Sequence, residues 1–421
     1  MGAERSYSRA AGIDLGKRGL SVCIRTVGGR GAVKLEEAVY TTMTSQILAL
    51  RDRLEAARVQ IVVMEATGDY WRPVFWILSG TLPGAQVLLV NPAHVRILKG
   101  RKTDRRDAAF LARQAAAGNL AGSFIPPEPV REVRDLTRRR TGFTTARASE
   151  INRLEKTLED TGIKITSVIS DITGATGRRI LAALIAGKRD PRALAALADA
   201  RIRASAAELA EALTGRFTSH HGYLVADHLE EIDHYTGKIL VLDARIAELL
   251  DSDDQRRDIA NLSTIPGIDT LGAQIIVSEL GHDMAAFPSP GHLASWLGTT
   301  GGHNESAGVK RKTRPADGNT AMRRILGVAA FSVMGHKGTY LNARYHRLRG
   351  RMDSRKAQVA IMHDMAIAIW FILHDKVPYR ELGADYFIRR DPAKIRRRIA
   401  ALAHSIGATV DIHDQPTPAT T

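Results

Sequence analysis

Cysteine is almost missing from this sequence. Cys23 is the single one in 421 residues, which excludes an internal disulfide and any thiolate metal cluster within one chain. Long apolar runs are missing too. The longest, Met365 to Leu373, is far short of the ~20 residues that a membrane-spanning helix needs. No secretory apolar core follows the first residues, so the expected compartment is the cytoplasm. Acids are the third shortage. Against 60 Lys and Arg stand 45 Asp and Glu, a formal net charge of +15 with a pI near 10.1. That imbalance calls for a polyanionic partner, and with the membrane disfavoured the partner is nucleic acid. The length suits two or three domains, and 44% hydrophobic residues is ordinary for a globular protein.

Against this basic background a few acids occupy unusual places. Residues 10–16, AAGIDLG, read as a short apolar strand carrying Asp14, and residues 59–66, VQIVVMEA, as a buried strand ending in Glu65. An isolated acid in an apolar strand is costly unless it is paired or binds a metal. A third apolar run, Val87 to Val90, leads through a basic segment into a helix that begins at Thr103. On that helix Asp104 and Asp107 are three apart and share a face. Arg105 and Arg106 could neutralise the pair on a solvated surface. Alternatively, the pair is half of a divalent-metal site whose other carboxylates are Asp14 and Glu65. Hard ions such as Mg²⁺ prefer oxygen ligands, and two of them stabilise the attacking and leaving oxygens of a phosphodiester.

The contexts GIDLGK, MEATGDYW and KTDRRDAAFLAR, with Asp14, Glu65, Asp104 and Asp107 in that order, resemble the DEDD tetrad of insertion-sequence-110 transposases. The resemblance resumes in STIPGIDTLGAQIIVSELG and in SWLGTTGGHNESAGVKRKTRPADGNTAMRRIL. It implies an N-terminal RuvC-like, RNase H-type domain that holds Mg²⁺ or Mn²⁺, two ions in all, on the four acids. It also implies a nucleophilic serine near the other end of the chain. By residue type alone Ser306 is a loop serine; the family pattern makes it the matching nucleophile. The family's basic residue before Gly-Asn is replaced here by Asp317. Members act on donor and target DNA under the guidance of a structured non-coding RNA, a bridge RNA, which this chain does not reveal.

The remaining pattern gives the expected architecture: an α/β RNase H-like domain followed by α-helical regions. Strands are expected near 11–15, 19–26 and 31–40, then a helix over 44–58 and alternating strands and helices to about 120. Trp71, Phe75 and Trp76 have the spacing of a helix face and read as core. Pro126, Pro127 and Pro129 mark a boundary, giving domains 1–125, 126–255, 256–380 and a basic, partly disordered tail 381–421. The second is a helical, coiled-coil region. Its first helix carries Arg131, Arg134, Arg138, Arg139, Arg140, Arg147 and Arg153, a phosphate-contacting face or a solvated one. Residues 178–213 are Ala-rich and helical. Ile232, Tyr235, Ile239, Leu242, Ile246 and Leu249 form an a/d seam that pairs within the chain or with another subunit.

In the third domain, Pro266-Gly267 resembles the turn of a helix-hairpin-helix, which offers backbone N–H groups to phosphate, or is an ordinary helix start. The scattered histidines, among them His220-His221 and His363, read as non-metal. Nucleic-acid contacts are expected at Arg101, Lys102, Arg105, Arg138, Arg139, Lys310, Arg311, Lys312 and Arg314, with the tail adding Arg389, Arg390, Lys394 and Arg396 to Arg398. Three functions fit: a DNA recombinase using the acids and Ser306 as a dimer or tetramer, a resolvase-like nuclease using the acids and water, or a non-catalytic nucleic-acid binder. The tetrad opposes the last and the serine segment opposes the second.

Overall fold

The computed structural model describes residues 6–411 except 67, 93–103, 301–304, 307–308 and 311–317; the side chains of 30, 104–106, 305, 306, 309 and 310 are also outside the description. The chain divides into two compact units, Met1–Ile125 and Pro126–Thr421.

In the first unit, strands β1 (Arg9–Leu15), β2 (Gly19–Val27) and β3 (Val33–Thr41) precede helix α1 (Thr44–Ala56). Strand β4 (Ile61–Glu65), helix α2 (Trp71–Thr81), strand β5 (Gln86–Val90) and helix α3 (Asp104–Ala116) follow. The strands form one sheet in the order β3-β2-β1-β4-β5. Pairing is antiparallel from β3 to β1 and parallel from β1 to β5, the arrangement of an RNase H-like domain. Period-two alternation sends Ile13, Leu20, Val22, Val62 and Met64 to one face, where they pack with Ile47, Leu50 and Leu54 of α1 and Val74, Phe75 and Leu78 of α2. As expected, Phe75 is core, with the Trp71 and Trp76 rings 5.8 and 5.0 Å from it.

The other face carries α3. Ala10, Ile61, Val63 and Val90 meet its Leu111, Ala115 and Ala116. Gly12 is the point of closest approach: an added Cβ would lie 2.2 Å from the Ala108 oxygen and 2.5 Å from the Ala112 nitrogen. Small residues on both partners let the helix lie directly on β1.

The second unit is helical. Helix α4 (Glu128–Thr161) enters through Pro127 and stops at Gly162, which takes the left-handed conformation at φ 83°. Short helices α5 (Ala175–Ile185), α6 (Pro191–Ala195) and α7 (Ala206–Ala212) follow, then the long α8 (Ser219–Leu249). The Ala-rich stretch is therefore interrupted: Gly187 at φ 91° ends one helix, Pro191 starts the next, and a Ser205–Glu208 capping box starts the third.

Helices α4 and α8 pack along one another. Arg140 pairs with Asp243, Arg147 reaches Thr236 at 3.4 Å, and Thr157 meets His228 at 3.1 Å. One number rises as the other falls, so the pair is antiparallel. The heptad seam is used here, inside the chain. Ile232, Ile239 and Ile246 are buried and Tyr235, Leu242 and Leu249 half-buried. Glu150, buried between the helices, is held by His228 and Arg153, each at 2.6 Å.

The rest comprises α9 (Asp253–Leu262), α10 (Thr270–Leu280), α11 (Pro290–Trp296), the short strands β6 (Glu305–Ser306) and β7 (Val309–Lys310), and α12 (Thr320–Val333). Helices α13 (Tyr340–Arg349), α14 (Ser354–Asp375), α15 (Tyr386–Arg390) and α16 (Pro392–Ser405) complete it. The sequence offers no apolar run of membrane length, yet the 22-residue α14 contains an 18-residue stretch of mean hydropathy 1.4, long and apolar enough by length and composition to cross a membrane. Within that stretch His363 and Asp364 break the apolar run. It packs against α9, α11, α12 and α13 with Ile361, Met365, Ile369 and Leu373 buried, as a central core helix does.

Candidate active site

Strand register places two of the four acids. Strands β1 and β4 are parallel with Ala10 opposite Ile61 and Ile13 opposite Met64. One further step at the same offset sets Asp14 beside Glu65, at the carboxyl ends of neighbouring parallel strands. Asp14 is two residues beyond Gly12, and Glu65 two beyond Val63, so both are on the face that α3 covers.

The direction of α3 brings in the others. Tyr7 N–H donates to the Ala116 oxygen at 2.8 Å, and Gly12 touches Ala108 and Ala112. The helix therefore runs antiparallel to β1, and its first turn, with Asp104 and Asp107, lies toward the Asp14 end. Asp107 is buried and Asp14 and Glu65 are half-buried. The sheet thus brings Asp14, Glu65 and Asp107 to one corner; the backbone of Asp104 is there too, its side chain outside the described residues. Among the described residues no three ligating side chains stand close enough to hold an ion. The donor set, carboxylate oxygens alone, fits a hard divalent cation better than a thiophilic one.

Ser306 is on the two-residue strand β6, its backbone opposite Val309 of β7 and that of Glu305 opposite Lys310. How the segment is anchored is visible at its base. A Cβ on Gly318 would lie 2.2 Å from the Leu297 oxygen and 2.6 Å from the Gly298 nitrogen, so chain before and after the segment is in contact and only glycine fits. Next to it, Asn319 caps α12 by accepting the Met322 N–H at 3.0 Å. Its amide also donates to Glu279 Oε2 at 2.7 Å.

Glu279 is fully buried in α10. Arg138 donates to it through Nε at 2.8 Å and Nη2 at 3.0 Å, and Arg134 Nε is 3.0 Å from Oε2. Arg134 also donates to the Glu279 backbone oxygen, and Thr137 and Ser278 hydroxyls meet at 3.0 Å beside it. A carboxylate without water around it needs this many donors. Glu279 is not among the residues that the sequence pattern singles out; its one local signal is that it is a lone acid in the otherwise uncharged helix TLGAQIIVSEL.

Of the expected nucleic-acid contacts, Arg138 is thus engaged by Glu279, while the Arg139 guanidinium lies 4.2 Å from the Phe143 ring centre. Arg101, Lys102, Arg311, Lys312 and Arg314 lie outside the described residues, as do the side chains of Arg105 and Lys310. The Pro266-Gly267 turn joins α9 to α10 as a hairpin. Gly267, at φ 87°, is required by packing, since a Cβ there would be 2.6 Å from the Ala329 oxygen. Asp269 accepts the Gly272 N–H at 2.7 Å, so a carboxylate already occupies the N-terminus where a phosphate would bind.

Two family models match the chain. One, described as a transposase of DEDD type, covers residues 11–163, and one described as the Transposase IS116/IS110/IS902 family covers 259–346; together they span more than half of the chain. No curated protein matches it. Among solved structures, RuvC of Thermus thermophilus is similar at 19% identity over 27% of this chain and 99% of its own, with a TM-score of 0.19. The strand order itself carries the fold assignment.

Proposed function

This chain belongs to the insertion-sequence-110 family of DEDD transposases, enzymes that cut and rejoin DNA, and we propose that it does so with the Asp14 corner and Ser306. The observation that carries the reading is the register that sets Asp14 beside Glu65 under the acidic first turn of α3. Asp14, Glu65, Asp104 and Asp107 would hold two divalent cations, Mg²⁺ or Mn²⁺, which when bound neutralise the scissile phosphate. Ser306 Oγ attacks phosphorus, the P–O bond to the departing nucleotide breaks, and the hydroxyl proton passes to that oxygen. One phosphodiester replaces another, so a strand is rejoined without an external energy source. Lys310 and Arg311 add charge stabilisation, and Arg101, Lys102, Arg105, Arg139, Lys312 and Arg314 contact backbone phosphates.

Within the second unit we assign 126–255 to a helical, coiled-coil linker domain, 256–380 to the serine-bearing domain and 381–421 to a basic, partly disordered tail. A bridge RNA pairing with donor and target DNA would supply sequence choice, as base pairing does in other guided systems. Exchange between two DNA partners calls for more than one active site, hence a dimer or tetramer acting in the cytoplasm at the nucleoid. The α8 seam no longer supports that assembly, because it is buried within the chain; the chemistry alone does.

The test is a trapped reaction, denatured and run on a gel. DNA that shifts with protein and collapses on proteolysis is the serine adduct, and Ser306→Ala should lose it while still binding DNA. A Ser306→Ala protein that still cuts DNA would mean that water is the nucleophile, as in a resolvase.

A further inference from the structure

A groove of about 950 Å³ runs between α13 and the C-terminal α15 and α16. Arg347 and Arg351, one helical turn apart on α13 and just past it, form one wall; Arg390, Lys394 and Arg398 form the other. All five are exposed. Neither α13 nor α16 contains an acid. The one carboxylate on the wall, Asp391, accepts the Lys394 N–H at 3.1 Å as the cap of α16. Arg344, deeper in the groove, is turned to Asp364 at 3.1 Å.

Five like charges facing one another repel, so the fold must hold the walls together by other means. An aromatic joint does this. Phe387 stacks on Tyr340 at 5.3 Å and lies 4.9 Å from the Arg347 guanidinium, and Tyr386 packs edge-on against Tyr340 at 5.1 Å. Glu381 fastens the joint by accepting the Tyr340 N–H at 2.6 Å. Two basic walls held side by side, with Asp391 the single carboxylate lining them among the described residues, suit an external polyanion.

We propose that this groove binds the phosphodiester backbone of duplex DNA. Tyr340 and Phe387 are already stacked on one another and Phe387 on Arg347, which leaves His346 as the exposed ring of the groove, too little for the successive stacking that single-strand recognition uses. The five cations all follow residue 346, where the second family match ends. The choice of DNA over RNA rests on the proposed cutting of DNA; the choice of a phosphate backbone rests on the groove alone.

The test is fluorescence anisotropy of the full-length protein with a short labelled DNA duplex, from about 50 to 200 mM salt. Replacing Arg351, Lys394 and Arg398 together by Ala should lower the slope of log K against log salt by about 3. The lysine-for-arginine pair, Arg351→Lys with Arg398→Lys, should keep it. Removing three exposed cations elsewhere, Arg201, Arg203 and Arg245, should change the slope far less. Equal losses from both triples, an unchanged slope, or a loss seen only with an RNA duplex of the same sequence would overturn the proposal. In those cases cleavage through Ser306 would stand untouched. Wild-type protein that bound no duplex would sink the groove and the proposed function together.

Discussion

Asn319 and Glu279, forty residues apart in sequence, meet through a 2.7 Å hydrogen bond that ties the exit of the serine segment to a buried carboxylate. The same carboxylate holds Arg134 and Arg138 of α4. Glu279→Ala would remove the buried carboxylate that both guanidinium groups share. A loss of ~3–5 kcal/mol is expected, as for one broken half of a buried ion pair, and urea unfolding measures it. An unchanged midpoint would mean the network is not the anchor.

Gly12 offers a second check. Ala at this position must push α3 off β1, because its Cβ would overlap the Ala108 carbonyl. Overpacking of this kind costs ~1–3 kcal/mol. The displacement also separates Asp107 from Asp14, so strand cleavage should fall more than stability does, with more metal needed for half-maximal rate. Gly19→Ala, whose nearest contact would be 3.5 Å away, should be silent.

The acid corner makes a sharper demand. Asp14→Asn and Asp107→Asn should abolish cleavage and leave duplex binding at wild-type affinity, and EDTA should do the same to the unaltered protein. Full cleavage in EDTA would remove the cation from the scheme.

Cys23 gives a pH signature. Burial, with a contribution from Glu37 and opposed by Arg113, raises its pKa to about 11. An unfolded thiol ionises near its ordinary pKa of ~8.5. Between those values the folded state holds a proton that the unfolded state has lost, so this contribution is present below ~8.5 and disappears as pH rises toward 11. Melting temperatures from pH 8 to 11 should fall more steeply for the wild type than for Cys23→Ala. The thiol should also resist alkylation at neutral pH until the protein unfolds.

Local pattern and partnership were not equally legible. The strands bearing Asp14 and Glu65 are readable because alternation and an isolated acid are properties of neighbouring residues. The partner of the α8 seam is not, since heptad spacing reports a buried stripe and leaves open what buries it. The arginines of α4 show why charge runs mislead. Arg140 is matched by Asp243, Arg138 by Glu279 and Arg153 by Glu150. Two of those three acids lie over a hundred residues away, beyond any local window.

The contact between Gly318 and Leu297-Gly298 gives the serine segment the character of an interchangeable cassette. Its two ends are already held together, so its length is nearly decoupled from the helices that bear it; doubling such a loop costs only ~0.6 kcal/mol in closure entropy. Residues 300–317 could then be lengthened, shortened or recharged without disturbing α10 or α12, while Thr299, whose N–H and hydroxyl both donate to the Ala294 oxygen, stays with the anchor. An engineer could graft the segment from one member to another by keeping Gly298, Thr299, Gly318, Asn319 and Glu279.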